Sequence, residues 1–506
     1  MWTSDYLLKL LMVVAFFAVM IGVGVYCRRH AKNVDAFVLG NRKVGPWLTA
    51  FAYGTSYFSA VIFVGYAGQF GWKYGLSATW IGIGNALIGS LLVWLVVGRR
   101  TRVMTRHLGS TTMPDFFEKR YGVPRLRTAA SVLIFIFLIP YTASLYNGLS
   151  RLFEMAFDID YAWCVAIMAA LTCVYVLAGG YMATAINDLI QGVIMLAGIV
   201  AVVAATLQLK GGFAQAFESL GGVGNGEFVS LFGPAPLQLL GVVVLTSLGS
   251  WGMPQMIGKF YAIKDESAIR RGTVISTVFA LVVAGGCYFL GSFGRIFTDD
   301  AAVARDGFDS IIPGILSGLA PALVGLVILL VLSASMSTLA ALVMTSGSTL
   351  TLDVIAPAQK QPMSDRRKLL LIRGLIAVFI LLSAVIAIVQ ARSRSVFIAQ
   401  LMGVSWGALA GSFLAPFLYG LYSRRVTPAA VWTSFGSGVL IMTSCFLCNL
   451  LGVRFESPVL AYFSSPINAG MLAMVLGLVL VPVVSYFTKQ LSLEDTDRIF
   501  ACYDKD

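Results

Sequence analysis

The chain has 506 residues, of which 58% are hydrophobic and only 12% charged, a balance no water-soluble globule of this size carries; it belongs to a polytopic membrane protein. A formal charge of +12 would suggest nucleic acid in a soluble protein, but Lys and Arg here cluster between apolar stretches, where they report topology instead. Two histidines, His30 and His107, both in basic loops, and no HExxH argue against a histidine-based membrane enzyme, and no nucleophile elbow is expected. The seven cysteines fall mostly within apolar segments; Cys445 and Cys448 form a CxxC inside a span with no second pair, so no metal or redox centre is expected.

The first apolar run, Leu7–Val25, is followed by Arg28, Arg29 and Lys32. A cleavable signal carries its positive charges before the apolar run, so a retained helix with its N-terminus outside is expected. Pro46–Phe70 comes next, interrupted by Gly54, Ser56, Ser59, Gly65 and Gly68, and then Leu76–Val97, ended by Arg99, Arg100 and Arg102. Ala130–Phe157 carries Pro140 in its middle, where a kink is expected. Ala162–Leu177 and Ile186–Leu207 follow, then a Gly-rich stretch and Leu237–Phe260, which contains GSWGMPQ. The remaining spans are Val274–Phe293, Pro321–Thr345, Leu370–Val389, Val396–Tyr419, Ala429–Leu451 and Asn468–Phe487. The reading is an all-α chain of about thirteen transmembrane helices, with the C-terminal tail cytoplasmic and the protein in the plasma membrane.

Pro46–Phe70 and Leu237–Phe260 look discontinuous. With the first span set aside, they open two five-helix halves of opposite orientation, and interrupted segments at corresponding positions point to a transporter's midplane site. The expected division is a flanking helix and inner loop over 1–45, a first repeat over 46–208, an outer loop over 209–235, a second repeat over 236–425, and flanking helices with the tail over 426–506.

Three stretches carry chemistry. Leu332 to Asp353, LSASMSTLAALVMTSGSTLTLD, is apolar enough to span a bilayer yet rich in hydroxyls; Ala334, Ser337 and Thr338 share one helical face. Such a face either glues one membrane helix to another or, with freed carbonyls, holds a monovalent ion. Gly54 to Gly65, GTSYFSAVIFVG, either packs closely through its small residues or unwinds near Thr55 to Phe58, freeing carbonyls that membrane depth tolerates only beside a cavity or ligand. Asp188, in AGGYMATAINDLIQG, is either a solvated helix-start carboxylate or an intramembrane one, which would be functional by default.

Together, VLGNRKVGPWLTAFAYGTSYFSA, GGYMATAINDLIQG, GMPQMIGKF and the serine-rich helix closing at TLTLD resemble the sodium/solute symporter family over nearly the whole chain. The resemblance implies a leucine-transporter-type five-plus-five inverted repeat with flanking helices. It maps the family's sodium site onto the carbonyls of Thr55, Phe58 and Ala334 with the hydroxyls of Ser337 and Thr338, and places Asp188 on the inner sodium path. A second site known in some sialic acid carriers would fall on Ala340 and Ala341, which carry no hydroxyl, so one co-transported sodium is expected. The nearest branch resembles the proline and pantothenate carriers: PYTAS puts Tyr141 where proline carriers keep a substrate-contacting tyrosine. Thr246 and Ser250 stand where those carriers have larger rings, which implies a roomier pocket. The solute pocket is expected at the midplane, lined by Ser59, Phe63, Tyr141, Ser250, Trp251 and Gln255. The function implied is sodium-coupled symport of a small polar solute such as an amino acid or organic acid. Sugar or sialic acid symport is the alternative and an ion channel the remoter one. Partners are the solute, sodium and the bilayer, with no nucleic acid.

Overall fold

In a computed structural model describing residues 4–28, 31–393 and 398–504, the described residues are helical apart from one isolated parallel bridge between Val44 and Ile263. Arg29 and His30, and the first residues of the expected Val396–Tyr419 span, lie outside the described residues. The principal helices are α1 (Ser4–Cys27), α2 (Pro46–Tyr57), α3 (Ala67–Tyr74), α4 (Thr79–Ala86), α5 (Arg99–His107), α6 (Pro124–Phe157), α7 (Tyr161–Gln208), α8 (Pro236–Gly249), α9 (Pro254–Ala262), α10 (Glu266–Ser292), α11 (Pro321–Thr349), α12 (Asp365–Ser393), α13 (Ile398–Tyr422), α14 (Pro428–Leu450) and α15 (Pro466–Phe487).

Among the described residues, 11 helical segments are long and apolar enough to cross a membrane, against the thirteen expected. The difference lies in the two longest, Val61–His107 with 47 residues and Tyr161–Gln208 with 48. Each is about twice the ~20 residues a bilayer needs, and each is broken at a glycine in the left-handed region: Gly75 at φ +60° and Gly180 at φ +60°. At Gly75 the left-handed φ is reinforced by space, since a Cβ there would lie 2.1 Å from the carbonyl oxygen of Phe228.

Both expected discontinuities are present. Pro46 starts α2 with φ preset for the helix. The helix ends where Phe58 turns extended at φ −95°, ψ 130°, and the chain resumes in a wide π-turn segment, Val61–Tyr66, leading into α3. In the second, α8 stops at Gly249, Met253 is extended at φ −81°, ψ 120°, as residues before proline prefer, and Pro254 starts α9. Residues Thr55 to Ser59 are buried throughout, the only setting in which irregular backbone survives at membrane depth.

Burial separates centre from rim. The apolar windows of α11 and α13 are 89% and 94% buried, those of α1 and α14 only 33% each, so α11 and α13 form the interior and α1 and α14 face lipid. At one end of the bundle the arginines staple loop carbonyls: Arg42 donates to Ser110 O, Arg106 to the carbonyls of Arg42 and Lys264, and Arg102 to Lys264 O. At this basic end the start of α2 is tied to the end of α9, since Val44 N donates to Ala262 O at 3.2 Å and Lys264 N to Val44 O at 3.0 Å.

Candidate functional site

When α2 ends at Tyr57, its last carbonyls lose their helical donors. Phe58 N still donates to Gly54 O, and the ladder restarts only with Ile62 and Phe63 donating to Ser59 O, so the carbonyls of Thr55 and Phe58 are free for other partners. They meet α11. The Thr338 hydroxyl oxygen lies 3.2 Å from Thr55 O, 3.2 Å from Phe58 O and 3.0 Å from Ala334 O. A hydroxyl has one proton, so it cannot serve three carbonyls at once. On the preceding residue, Ser337 Oγ is 2.7 Å from Thr55 Oγ1 and 2.6 Å from Asp188 Oδ1. The Thr55 proton is directed to Phe51 O at 2.7 Å, so its hydroxyl oxygen presents lone pairs toward Ser337. Every residue in this cluster is 1% exposed or less. The five oxygens assigned to a sodium site thus converge on a seam between a broken helix and a buried one, with more lone pairs than protons. Such a shell suits a hard monovalent cation.

Asp188 sits below this cluster on α7, 1% exposed, so it is an intramembrane carboxylate and not a solvated one. Its Oδ1 is engaged by Ser337, while Oδ2 has no hydrogen bond and faces the Lys259 ammonium at 3.7 Å. Lys259, on α9, is 5% exposed and stands over the Tyr181 ring, 5.3 Å from its centroid. Lys259 and Tyr181 border a cavity of about 70 Å³, room for several waters. Its wall includes Tyr181, Thr184, Gln255, Lys259, Thr345 and Ser348, and it reaches Thr112 at the basic end.

The structure divides the expected solute-lining residues. Ser59 and Tyr141 are together, the phenol facing the Ser59 hydroxyl and the indole N–H of Trp406. All three polar atoms are buried, with no hydrogen bond of good geometry. The Tyr141 and Trp406 rings meet edge to face at 6.2 Å, and Tyr57 lies against the other side of Trp406 at 5.8 Å. Phe63 is fully buried in the π-turn segment. Ser250 and Trp251 have their polar groups turned to backbone: Ser250 Oγ lies 3.0 Å from Ser247 O and 3.1 Å from Gly89 O, and Trp251 Nε1 donates to Ile88 O at 3.0 Å. Gln255 departs furthest from expectation. It lines the lower cavity beside Lys259, both ends of its amide unpartnered, because Pro254 restarts the helix and turns this face toward the basic end.

A family model described as the sodium:solute symporter family matches residues 37–436. The chain belongs to that family. Among its relatives is a sodium/proline symporter of Staphylococcus aureus (strain JH9), 29% identical over 447 residues, spanning 85% of this chain and 84% of the relative. This symporter-family chain also shares its fold with a solved Na+-coupled sialic acid symporter in a substrate-bound outward-open state, with TM-score 0.76, 17% identity and coverage of 96% and 99% of the two chains. A nucleobase-cation-symport-1 family transporter in a closed conformation, with bromovinylhydantoin bound, matches at TM-score 0.52 and 12% identity over 92% and 97%.

Two residues of this family member escaped the reading of its sequence. Lys259 is a lone charge inside the Leu237–Phe260 span, a signal that marks an intramembrane functional residue by default. Trp406 gave no such signal, being one aromatic among many; only the fold brings it over the second helix break. A Cβ on Gly249 would lie 2.6 Å from the Trp406 ring, which is why glycine ends α8. The pentapeptide around it, GVSWG from Gly403 to Gly407, does have the G-x-S-x-G spacing of a nucleophile elbow, contrary to expectation. It lies mid-helix in α13 with Ser405 fully buried, so it lacks the strand-to-helix turn that exposes a nucleophile.

Proposed function

We propose that this protein is a secondary active transporter of the plasma membrane that couples inward sodium flow to the uptake of a small polar organic solute, an amino acid or organic acid, by alternating access. The observation that carries this is the convergence of Thr55 O, Phe58 O and Ala334 O on the Thr338 hydroxyl, with the Ser337 hydroxyl against that of Thr55, at the break of a buried helix. The sodium ion is cargo: those oxygens hold it, and Asp188, hydrogen-bonded to Ser337 and bordering the route to the basic end, draws it onward. By the positive-inside rule the arginine-rich end is cytoplasmic, which puts the N-terminus outside, the C-terminal tail inside, and the Lys259 cavity on the release side. Ser59, Tyr141 and Trp406 form the solute-facing cluster, with Trp251 closing the second break. Thr246 and Ser250, small beside the rings of proline carriers, favour a solute longer or more branched than proline.

The gradient supplies enough work. One charge entering across 100 mV contributes about 2.3 kcal/mol, and each tenfold sodium gradient about 1.4 kcal/mol. The test is uptake of a labelled panel of amino acids, monocarboxylates and sugars into proteoliposomes, with and without a sodium gradient. Saturable, sodium-dependent accumulation of one class is expected. Accumulation indifferent to sodium, or current without saturable uptake, would overturn the reading.

A further inference from the structure

Among the described residues, the buried charged side chains are Asp115, Arg120, Asp188, Lys259 and Asp353. Three of them belong to the basic end: Asp115 pairs with Lys119, Asp353 accepts from Arg127 and Thr112, and Arg120 donates to the carbonyls of Gly420 and Ser423. Asp188 and Lys259 are the pair left beside the cation cradle, so the charge of Asp188 is balanced there by Lys259 or by a cation. Their contact is not a closed salt bridge. At 3.7 Å it is too long for a hydrogen bond, and Asp188 Oδ2 accepts nothing else.

The surroundings of that free oxygen are those of a second cation position. Asp188 Oδ1 shares Ser337 with the cradle. Tyr181, whose hydroxyl is buried and unpartnered, lies under the Lys259 ammonium, and the cavity that both line admits several waters from the basic end. A small cation entering there would find a carboxylate oxygen and neighbouring hydroxyl oxygens. The ammonium of Lys259, carried on a four-carbon stem from α9, already stands at that place.

We propose that Lys259 is a tethered cation occupying a second cation position beside the sodium cradle, which holds the protein to one sodium per cycle. The proposal rests on the sodium reading above. A tethered charge competes at fixed local concentration, so a second sodium is kept from settling at Asp188, whose carboxylate is left to draw the cradle's own ion onward, while the cradle, walled by neutral oxygens, stays available. Because Lys259 moves with α9 and Asp188 with α7, the tether also links the second broken helix to the cradle's floor.

Equilibrium binding of 22Na+ to the purified full chain tests this without knowledge of the solute. The wild type should bind one ion per protein with a Hill slope near one. Lys259→Met and Lys259→Gln should bind two with a slope above one; Lys259→Arg and the double variant Asp188→Asn/Lys259→Met should bind one. Lys259→Gln carries the test if Lys259→Met does not fold, since its amide can donate to Asp188 Oδ2 without charge. One ion per protein at unchanged half-saturation in both neutral variants, or two in the wild type, overturns the tether. No binding by the wild type overturns the sodium reading instead.

Discussion

Replacing Thr338 by alanine removes the oxygen on which the cradle closes. That hydroxyl lies within 3.2 Å of three carbonyls from two chain segments, so an ion at the seam loses one ligand of five while the carbonyls, fixed by their helices, cannot close the gap. A hydrogen bond or equivalent polar contact to a charged partner contributes about 1.5–3 kcal/mol, against about 1 kcal/mol for a neutral one. The ion-free protein therefore loses roughly 1 kcal/mol and stays folded, while sodium affinity falls about 10- to 150-fold. Ser337→Ala should fall near the lower limit, because the Asp188 carboxylate it releases is adjacent and can take up part of the vacancy. Thr338→Ser, which keeps the hydroxyl, should stay within about threefold of wild type, a loss of under 1 kcal/mol. The assay is the sodium concentration at half-maximal 22Na+ binding, repeated as half-maximal uptake in proteoliposomes. Wild-type sodium dependence in both alanine variants would place the ion elsewhere and refute the reasoning.

Asp188→Asn strips the carboxylate from the buried Lys259, so thermal unfolding should register a loss of about 3–5 kcal/mol, recovered in the double variant with Lys259→Met; in transport it should slow turnover and leave the ranking of competing solutes unchanged. A changed ranking would put Asp188 in the solute pocket. Tyr141→Ala and Trp406→Ala should weaken apparent solute affinity much more than sodium affinity, measured as separate half-saturations in uptake, since their rings face Ser59 and not the cradle. Gly249→Ala drives a Cβ to within 2.6 Å of the Trp406 ring. Overpacking of that kind costs about 1–3 kcal/mol, and the displaced indole should lower solute affinity about tenfold; unchanged uptake would mean the ring takes no part.

The sequence made the cation cluster legible because its signal is compositional. A run of hydroxyls and small residues stands out in an apolar span, and the family resemblance names Thr55, Phe58, Ala334, Ser337 and Thr338 individually, which lie side by side at the seam of two helices. The two helix breaks were legible for the same reason, carried by Gly54, Ser56, Ser59 and the GSWGMP stretch. The two longest helical segments each take in parts of two expected spans, because Gly75 and Gly180 turn the chain within them and no hydropathy window registers a φ. Gln255 lies on another face than expected because it directly follows Pro254: residues within one turn of Pro254 change face as the helix restarts, and sequence spacing alone does not say which way. Trp406 was illegible since its meaning lies in Gly249, more than 150 residues earlier, vacating the space it fills.

On the sodium-coupled reading proposed above, the position of the cradle accounts for how two cargoes would travel together. On one side, α2 is bound to its neighbours through side chains aimed at backbone: Tyr53 to Gly89 O at 2.7 Å, Tyr57 to Thr246 O at 2.8 Å, and the Val44 bridge to the end of α9. Ser90 and Ser276 join the following helix to α10 at 2.8 Å. On the other side, α11 packs against α6, α7 and α12, and Tyr175 of α7 donates to Met336 O. The bonds from Ser337 and Thr338 to Thr55 and Phe58 stitch these two groups together, and that seam is where the proposed cation would sit. An ion there favours the arrangement in which both sides present their oxygens, by its difference in affinity between arrangements and by no more than that. Phe58 and Ser59 are adjacent in the chain, so fixing the Phe58 carbonyl toward the ion also fixes Ser59 toward Tyr141 on α6 and Trp406 on α13. On that reading the solute site would be complete when the ion is seated and loosened when it leaves. A coupling of about 1–3 kcal/mol, the usual range between linked sites, needs no longer pathway than that single peptide unit.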